Sequence, residues 1–168
     1  MTRGISIMQQ SKDLESVRNY NKRLCEKYPF LLPYAGRKHE EGGPLYDTDY
    51  DYEFTELDSM PAGWRKAFGI KLCDELKAEL VFAGLLESYR IAEIKEKWGE
   101  LRWYDNGSTD RGQEIIDHYT RLSRRTCILC GKKAKWITQG WIAPYCDECI
   151  VLLDGDTSLA KRIGDEDK

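Results

Sequence analysis

A chain of 168 residues, 41% hydrophobic and 33% charged, is long enough for one domain with a real core and too apolar to be a disordered tail. No stretch approaches the ~18 apolar residues of a membrane span, and the opening residues Met1 to Met8 hold one basic side chain and no secretory-type apolar core, so the expected location is the cytoplasm, with no membrane partner. The net charge of −3 argues against a chain that binds nucleic acid over its whole surface, but the charge is uneven: residues 1–40 hold 8 basic and 4 acidic side chains, 41–63 hold 7 acidic and none basic, and 107–150 hold 7 basic and 5 acidic.

Residues 11–28 read as a helix. Ser11 is the candidate N-cap, Asp13 and Glu15 sit where the helix dipole favours acids, and Leu14, Val17, Asn21, Leu24 and Tyr28 fall at helical spacing. Pro29 stops the helix, and Phe30 to Tyr34 is expected to be a short extended stretch. Gly36, Gly42, Gly43 and Pro44 then break regular structure. An acidic, aromatic stretch follows, with carboxylates at Asp47, Asp49, Asp51, Glu53 and Glu56 interleaved with Tyr46, Tyr50, Tyr52 and Phe54. It reads as a solvated loop or edge strand. Alternatively it is a contact surface in which carboxylates and rings imitate a nucleic-acid backbone and occupy a basic groove on a partner. The Asp-x-Asp-x-Asp run resembles part of a calcium loop, but the glycine and distal glutamate of an EF-hand are out of register.

Residues 59–86 carry the strongest helical pattern. Pro61 suits a first turn, Trp64, Phe68, Leu72, Leu76 and Leu80 recur every four residues beside Cys73, and Gly84 weakens the end. Residues 90–104 change period and predict two strands around Trp98-Gly99, closed by an Asp105-Asn106-Gly107 turn. Residues 109–124 predict a third helix whose buried face is Ile115, Ile116, Tyr119 and Leu122, with His118 beside it in a structural role.

Cysteine spacing carries the strongest chemical signal. Cys127-x-x-Cys130, then fifteen residues, then Cys146-x-x-Cys149 is the spacing of a tetrahedral four-thiolate Zn²⁺ site. Four thiolates leave no open position for water, so the zinc is expected to be structural. Trp136, Ile137, Trp141 and Ile142 suggest a hairpin between the two knuckles with Gly140 at its bend, and Ile150 to Leu153 belong to a short helix that starts at the second knuckle. Cys25 and Cys73 are spares. His39-Glu40-Glu41 with Pro144 and Cys146-x-x-Cys149 superficially resembles a zinc-deaminase signature, but the proline is one residue too far away and the first cysteine pair is left unexplained. With no nucleophile or phosphate-loop motif and two histidines, the chain does not read as an enzyme. Arg121, Arg124, Arg125, Lys132, Lys133 and Lys135 make the metal flank basic, either to balance the thiolates or to contact phosphates beside Trp136 and Trp141.

The segment Ile94-Lys-Glu-Lys-Trp-Gly-Glu-Leu-Arg-Trp-Tyr104, followed by Cys127-x-x-Cys130-Gly131, Trp141 and Cys146-x-x-Cys149, resembles a family of small zinc-ribbon proteins of bacteriophages and prophages, over roughly residues 60–150. The family transfers no chemistry. Phages do encode small inhibitors of CRISPR immunity, some of them zinc proteins, and this chain is similar in kind. That resemblance implies an inhibitor that binds a host protein or ribonucleoprotein defence complex, an RNA-guided CRISPR nuclease foremost, through Asp47, Asp49, Asp51, Glu53 and Glu56. The alternative is a regulator that binds nucleic acid through the basic zinc segment. The expected fold is α+β, with helices packed on a small antiparallel sheet and a C-terminal zinc-ribbon or treble-clef-like module. Its expected segments are 1–58, 59–125, 126–155 and a mobile tail, 156–168.

Overall fold

Helix α1 spans Ile7–Lys27, and its start lies before Ser11, which is therefore inside the helix and not its cap. The structure, a computed structural model, describes residues 7–33, 50–153 and 160–164, which fall into two compact units divided between Glu56 and Leu57. In the first unit the predicted stripe of α1 is buried only toward its C-terminal end, at Asn21 and Tyr28, with Leu24 half-buried. Leu14 and Val17 are exposed, whereas Asn21, Cys25 and Tyr28 are buried. Asn21 can sit on this face because its amide donates to the Tyr52 carbonyl at 2.9 Å. The helix stops at Lys27, as Pro29 requires, but Pro29–Leu31 then forms a 3₁₀ turn and not an extended stretch. Its Phe30 and Leu31 are buried, as is Leu32 after it.

In the second unit a 3₁₀ turn, Glu56–Ser59, leads into one continuous helical run: α2 (Ala62–Trp64), a π turn (Arg65–Gly69) and α3 (Ile70–Phe82). Pro61 caps this run and does not sit inside its first turn. Trp64, Phe68, Leu72, Cys73, Leu76 and Leu80 are all buried. Residues four apart drift by about 40° per step around an α-helix. The wider π turn takes up part of that drift and keeps five large side chains on one face. Gly84, at φ +70°, ends the run with two crossed bonds, Leu85 N–H to the Leu80 carbonyl at 2.8 Å and Gly84 N–H to the Val81 carbonyl at 3.2 Å.

Strands β1 (Ile91–Lys97) and β2 (Glu100–Asp105) pair antiparallel around Trp98-Gly99, with Lys97 opposite Glu100 and Ile94 opposite Trp103. Positive φ at both turn residues, +60° and +76°, is the conformation that matches strand twist in a two-residue hairpin. Ile91, Ile94, Leu101 and Trp103 face the core. Helix α4 (Asp110–Ser123) starts at Thr109, whose hydroxyl accepts from Gly112 N–H at 2.9 Å. It is held between α3 and β2 by side chains: Tyr119 donates to Glu75 at 2.8 Å, Thr109 to Glu79 at 2.6 Å, and the Ser123 hydroxyl accepts from Leu101 N–H at 2.9 Å. Ile115, Ile116 and Tyr119 are buried as expected, but Leu122 is partly exposed.

The C-terminal part forms a second small sheet, in the order β4 (Pro144–Tyr145), β3 (Trp136–Thr138), β5 (Ala160–Arg162), all antiparallel. The α+β class is observed, with two small antiparallel sheets where one was expected. The mobile tail is corrected for residues 160–162, because β5 pairs along β3 from Trp136–Arg162 to Thr138–Ala160. The short helix α5, Asp147–Ile150, starts at the second knuckle as expected, with Cys146 at its N-cap, and ends before Leu153.

Two expectations follow from the core. Gly63 has no room for a side chain: a Cβ there would lie 2.2 Å from the Cys127 carbonyl oxygen. Gly63→Ala should cost about 2–4 kcal/mol in denaturant unfolding, by forcing the two segments apart. Burial, together with its bond to Asp105 at 2.6 Å, raises the Tyr89 phenol well above its ordinary value of 10.0. A raised phenol stays protonated when folded but ionises when unfolded. Its stabilisation is therefore whole below pH 10 and drains as the pH climbs toward the raised value, by up to about 1.4 kcal/mol per pH unit. Tyr89→Phe should be less stable at pH 7 but show a shallower loss between pH 10 and 11.5, read by denaturant midpoints.

Candidate metal centre and cationic groove

Each cysteine pair is placed by a backbone turn. The first knuckle closes by Cys127 N–H to the Lys132 carbonyl at 2.7 Å and Gly131 N–H to the Cys127 carbonyl at 3.0 Å, with Gly131 at φ +82°. The second is the first turn of α5, where Ile150 N–H reaches the Cys146 carbonyl at 3.0 Å. Two backbone bonds lock the turns together: Ile128 N–H to the Pro144 carbonyl at 2.9 Å and Lys135 N–H to the Tyr145 carbonyl at 2.8 Å.

The outcome is a cluster of four sulfur atoms, Cys127, Cys130, Cys146 and Cys149, all within 4.8 Å of one another. The Cys130 and Cys146 sulfurs are 3.5 Å apart, and none of the four is in a disulfide. A tetrahedron with metal–sulfur bonds of ~2.3 Å has sulfur–sulfur edges of ~3.8 Å, so the cluster could hold one metal ion. Cys127, Cys146 and Cys149 are buried and Cys130 is partly exposed. Burial pushes the Cys127 thiol up, but the backbone N–H groups of Cys130, Cys146 and Leu129 outweigh it and bring it down to about 7. Burial and the neighbouring cysteines push Cys149 strongly up. Four thiolates at this spacing repel one another, and a bound cation is the chemical answer to that repulsion. Cys25 and Cys73 are buried away from this cluster, as expected of spares.

The six basic residues of the metal flank separate into two groups. Lys132 is bound to Glu148 at 2.6 Å, and Lys135 pairs with Asp147, which also accepts from the Trp136 indole at 2.8 Å. Residues 121–146 contain no acidic residue, and those two carboxylates come just after them, on α5. Lys133 is exposed. Arg121, Arg124 and Arg125 instead line a groove of about 620 Å³. Its other wall is β5 and the residue after it, which bring Lys161, Arg162 and Ile163, with Ile137 of β3. His118 adds an imidazole to the α4 side, and Leu122, Ile137 and Ile163 give the groove apolar surface. Among the described residues, no carboxylate lines it. Arg124 does pair with Glu100, a buried carboxylate that Arg102 also holds at 2.7 Å, so one negative charge faces two guanidinium groups and a positive surplus remains. A neighbouring depression of about 370 Å³ is different, with Glu75 and Glu114 among its lining beside Arg111.

His118, Lys161 and Arg162 were not foreseen in the basic set. His118 read as structural, and the other two fell in the stretch read as a mobile tail. His118 stands one turn before Arg121 on α4, a spacing the sequence does show, whereas Lys161 and Arg162 reach the groove only through the pairing of β5 with β3.

The acidic stretch is less open than its composition implies. Asp47 and Asp49 lie outside the described residues, as does His39 of the deaminase-like pattern. Glu53 pairs with Arg18 of α1, Asp51 lies 4.0 Å from the same guanidinium, and Glu56 is buried.

Comparison of the chain with protein-family models, with curated proteins and with solved structures gives no match. No helix among the described residues is long and apolar enough to cross a membrane. Thiol counting tests the cluster. In metal-loaded protein a chromogenic thiol reagent should titrate four thiols only after a chelator is added, and the remaining two, Cys25 and Cys73, only in denaturant. Six thiols reacting together would contradict the arrangement.

Proposed function

We propose that the chain is a non-enzymatic nucleic-acid-binding protein, gripping the sugar–phosphate backbone in the groove between α4 and β5, with a structural Zn²⁺ on Cys127, Cys130, Cys146 and Cys149. The observation that carries this reading is the groove itself, where Arg121, Arg124, Arg125, Lys161, Arg162 and His118 converge with no facing carboxylate among the described residues. Phosphate oxygens suit guanidinium groups because the planar fork makes two parallel hydrogen bonds. Apolar side chains in the same groove suit sugar and base edges.

Zinc fits the cluster by ligand type and geometry. Four soft thiolates with no open position make a closed site, which supports folding and not hydrolysis. The two backbone turns and the α5 start support reading the module as treble-clef-like or zinc-ribbon-like. When bound, the ion supplies cross-linking of Cys127–Cys130 to Cys146–Cys149, and thereby holds β3 and β4 in position for β5. A phage origin and an inhibitory role against a defence complex are compatible with such a protein, but the acidic stretch offers less for them. Two of its carboxylates face Arg18 and a third is buried.

Titration of a labelled oligonucleotide against salt tests the reading. Affinity should fall steeply as salt rises, and each of Arg121→Gln, Arg125→Gln, Lys161→Gln and Arg162→Gln should flatten the log–log slope by about 1. Lys132→Gln and Lys135→Gln, which lie off the groove, should leave the slope unchanged. Absence of salt-dependent binding to any nucleic acid would refute the proposal.

A further inference from the structure

The hairpin turn of β1–β2 holds an unusual residue. Trp98 sits at φ +60°, in the left-handed region that Gly, Asn and Asp occupy at low cost, and it is one of two non-glycine residues with positive φ among those described. Its side chain is 64% exposed, so burial does not offset the strain. A second indole, Trp141, is 74% exposed in the loop between β3 and β4. Bulky residues held in strained or solvated positions without a packing return are retained for what they touch.

The two loops meet. A Cβ at Gly99 would lie 3.3 Å from Ile142 Cγ2 and 3.5 Å from the Ile142 carbonyl oxygen, so the residue after Trp98 touches the residue after Trp141. Both loops also connect to the groove. Glu100, two residues past Trp98, pairs with Arg124 on the groove wall. The Thr138 hydroxyl donates to the Trp141 carbonyl, and Thr138 follows Ile137 of the groove surface.

We propose that Trp98 and Trp141 form a base-stacking platform beside the cationic groove, so that the ligand is single-stranded nucleic acid. The inference rests on the nucleic-acid reading above and adds the strandedness of the ligand. In a duplex the base faces are stacked on one another and only edges are presented, whereas an unpaired strand offers its base faces to indole rings while its phosphates lie on arginines. Stacking of this kind tolerates any base, which agrees with a groove built of phosphate-type donors.

The test uses the full-length, metal-loaded protein with four probes: a mixed-sequence DNA strand of about 12 nucleotides, the same strand as RNA, its DNA duplex, and heparin as a polyanion without bases. The single strands should quench tryptophan fluorescence and bind about tenfold or more tightly than the duplex. Trp98→Gly and Trp141→Ala should each weaken single-strand binding by about tenfold and leave heparin binding and its salt slope unchanged. Trp98→Gly should also raise the melting temperature, since glycine relieves the turn, which separates loss of binding from loss of fold. Either sugar type binding more tightly supports the proposal. Equal affinity for strand and duplex, or full single-strand affinity in both variants, overturns it and leaves the groove reading intact. Failure of all four probes to bind overturns that reading and this one together.

Discussion

A contact with no room for a side chain sets the rest of the structure. Gly63 passes so close to the first cysteine knuckle that a Cβ would meet the Cys127 and Ile128 backbone at 2.2 and 2.6 Å. From the other side, a Cβ on Gly131 would lie 2.6 Å from the Gly63 carbonyl oxygen and 3.1 Å from Ala67 Cβ. Between them run a backbone bond from Gly63 N–H to the Ile128 carbonyl at 2.9 Å and one from the Trp64 indole to the Thr126 carbonyl at 2.8 Å. The knuckle therefore docks on the helical run main chain to main chain, with the fully buried Trp64 as its anchor. The cysteine module is not a bead on a linker. Its first half shares a backbone interface with the helix that fills the core, so order in the metal centre and order in α2 are the same event.

The electrostatics are arranged around that frame. A chain of net charge −3 carries a cationic groove because its acids are used locally. Asp147 and Glu148 at the start of α5 take up Lys135 and Lys132, where acidic residues also suit a helix N-terminus. Lys135 first, then the Trp136 indole, hold the Asp147 carboxyl below its ordinary value. Glu100 is shared between Arg102 and Arg124, which orients Arg124 without neutralising the pair. Arg162 lies over the Trp136 ring at 5.2 Å, a contact that leaves its charge in place. Carboxylates of α5 take up Lys132 and Lys135, while Arg121, Arg124, Arg125, Lys161 and Arg162 line one groove.

Legibility in the sequence followed how local the physics was. The cysteine spacing, the period-four stripe from Trp64 to Leu80 and the Trp98-Gly99 turn are each fixed by neighbours within a few residues, and each is found where the sequence places it. The π turn is not visible in the stripe that it supports. The buried face of α1 was misread toward its start because Leu14 and Val17 match the period as well as Asn21 and Cys25 do, and periodicity alone does not say which turns of a helix are covered. The groove was beyond sequence reasoning. Arg121, Arg124 and Arg125 lie at the end of α4 and just after it, and Lys161 and Arg162 sit some forty residues later, joined only through the register of β5 on β3. The expected partner surface read as free charge because Arg18, more than thirty residues upstream, gives no sign in sequence of being the counter-ion of Asp51 and Glu53, and nothing local shows that Glu56 is buried.

Strand β5 lies at the edge of its sheet, three residues long, with Lys161 and Arg162 exposed and no side chain in the main core. Half of the groove is thus written in a segment on which folding makes almost no demand. Substitution there meets little resistance from stability, while substitution at Gly63 or the cysteines meets a great deal. The surface that the groove presents can thus change through β5 while the scaffold beneath it stays fixed.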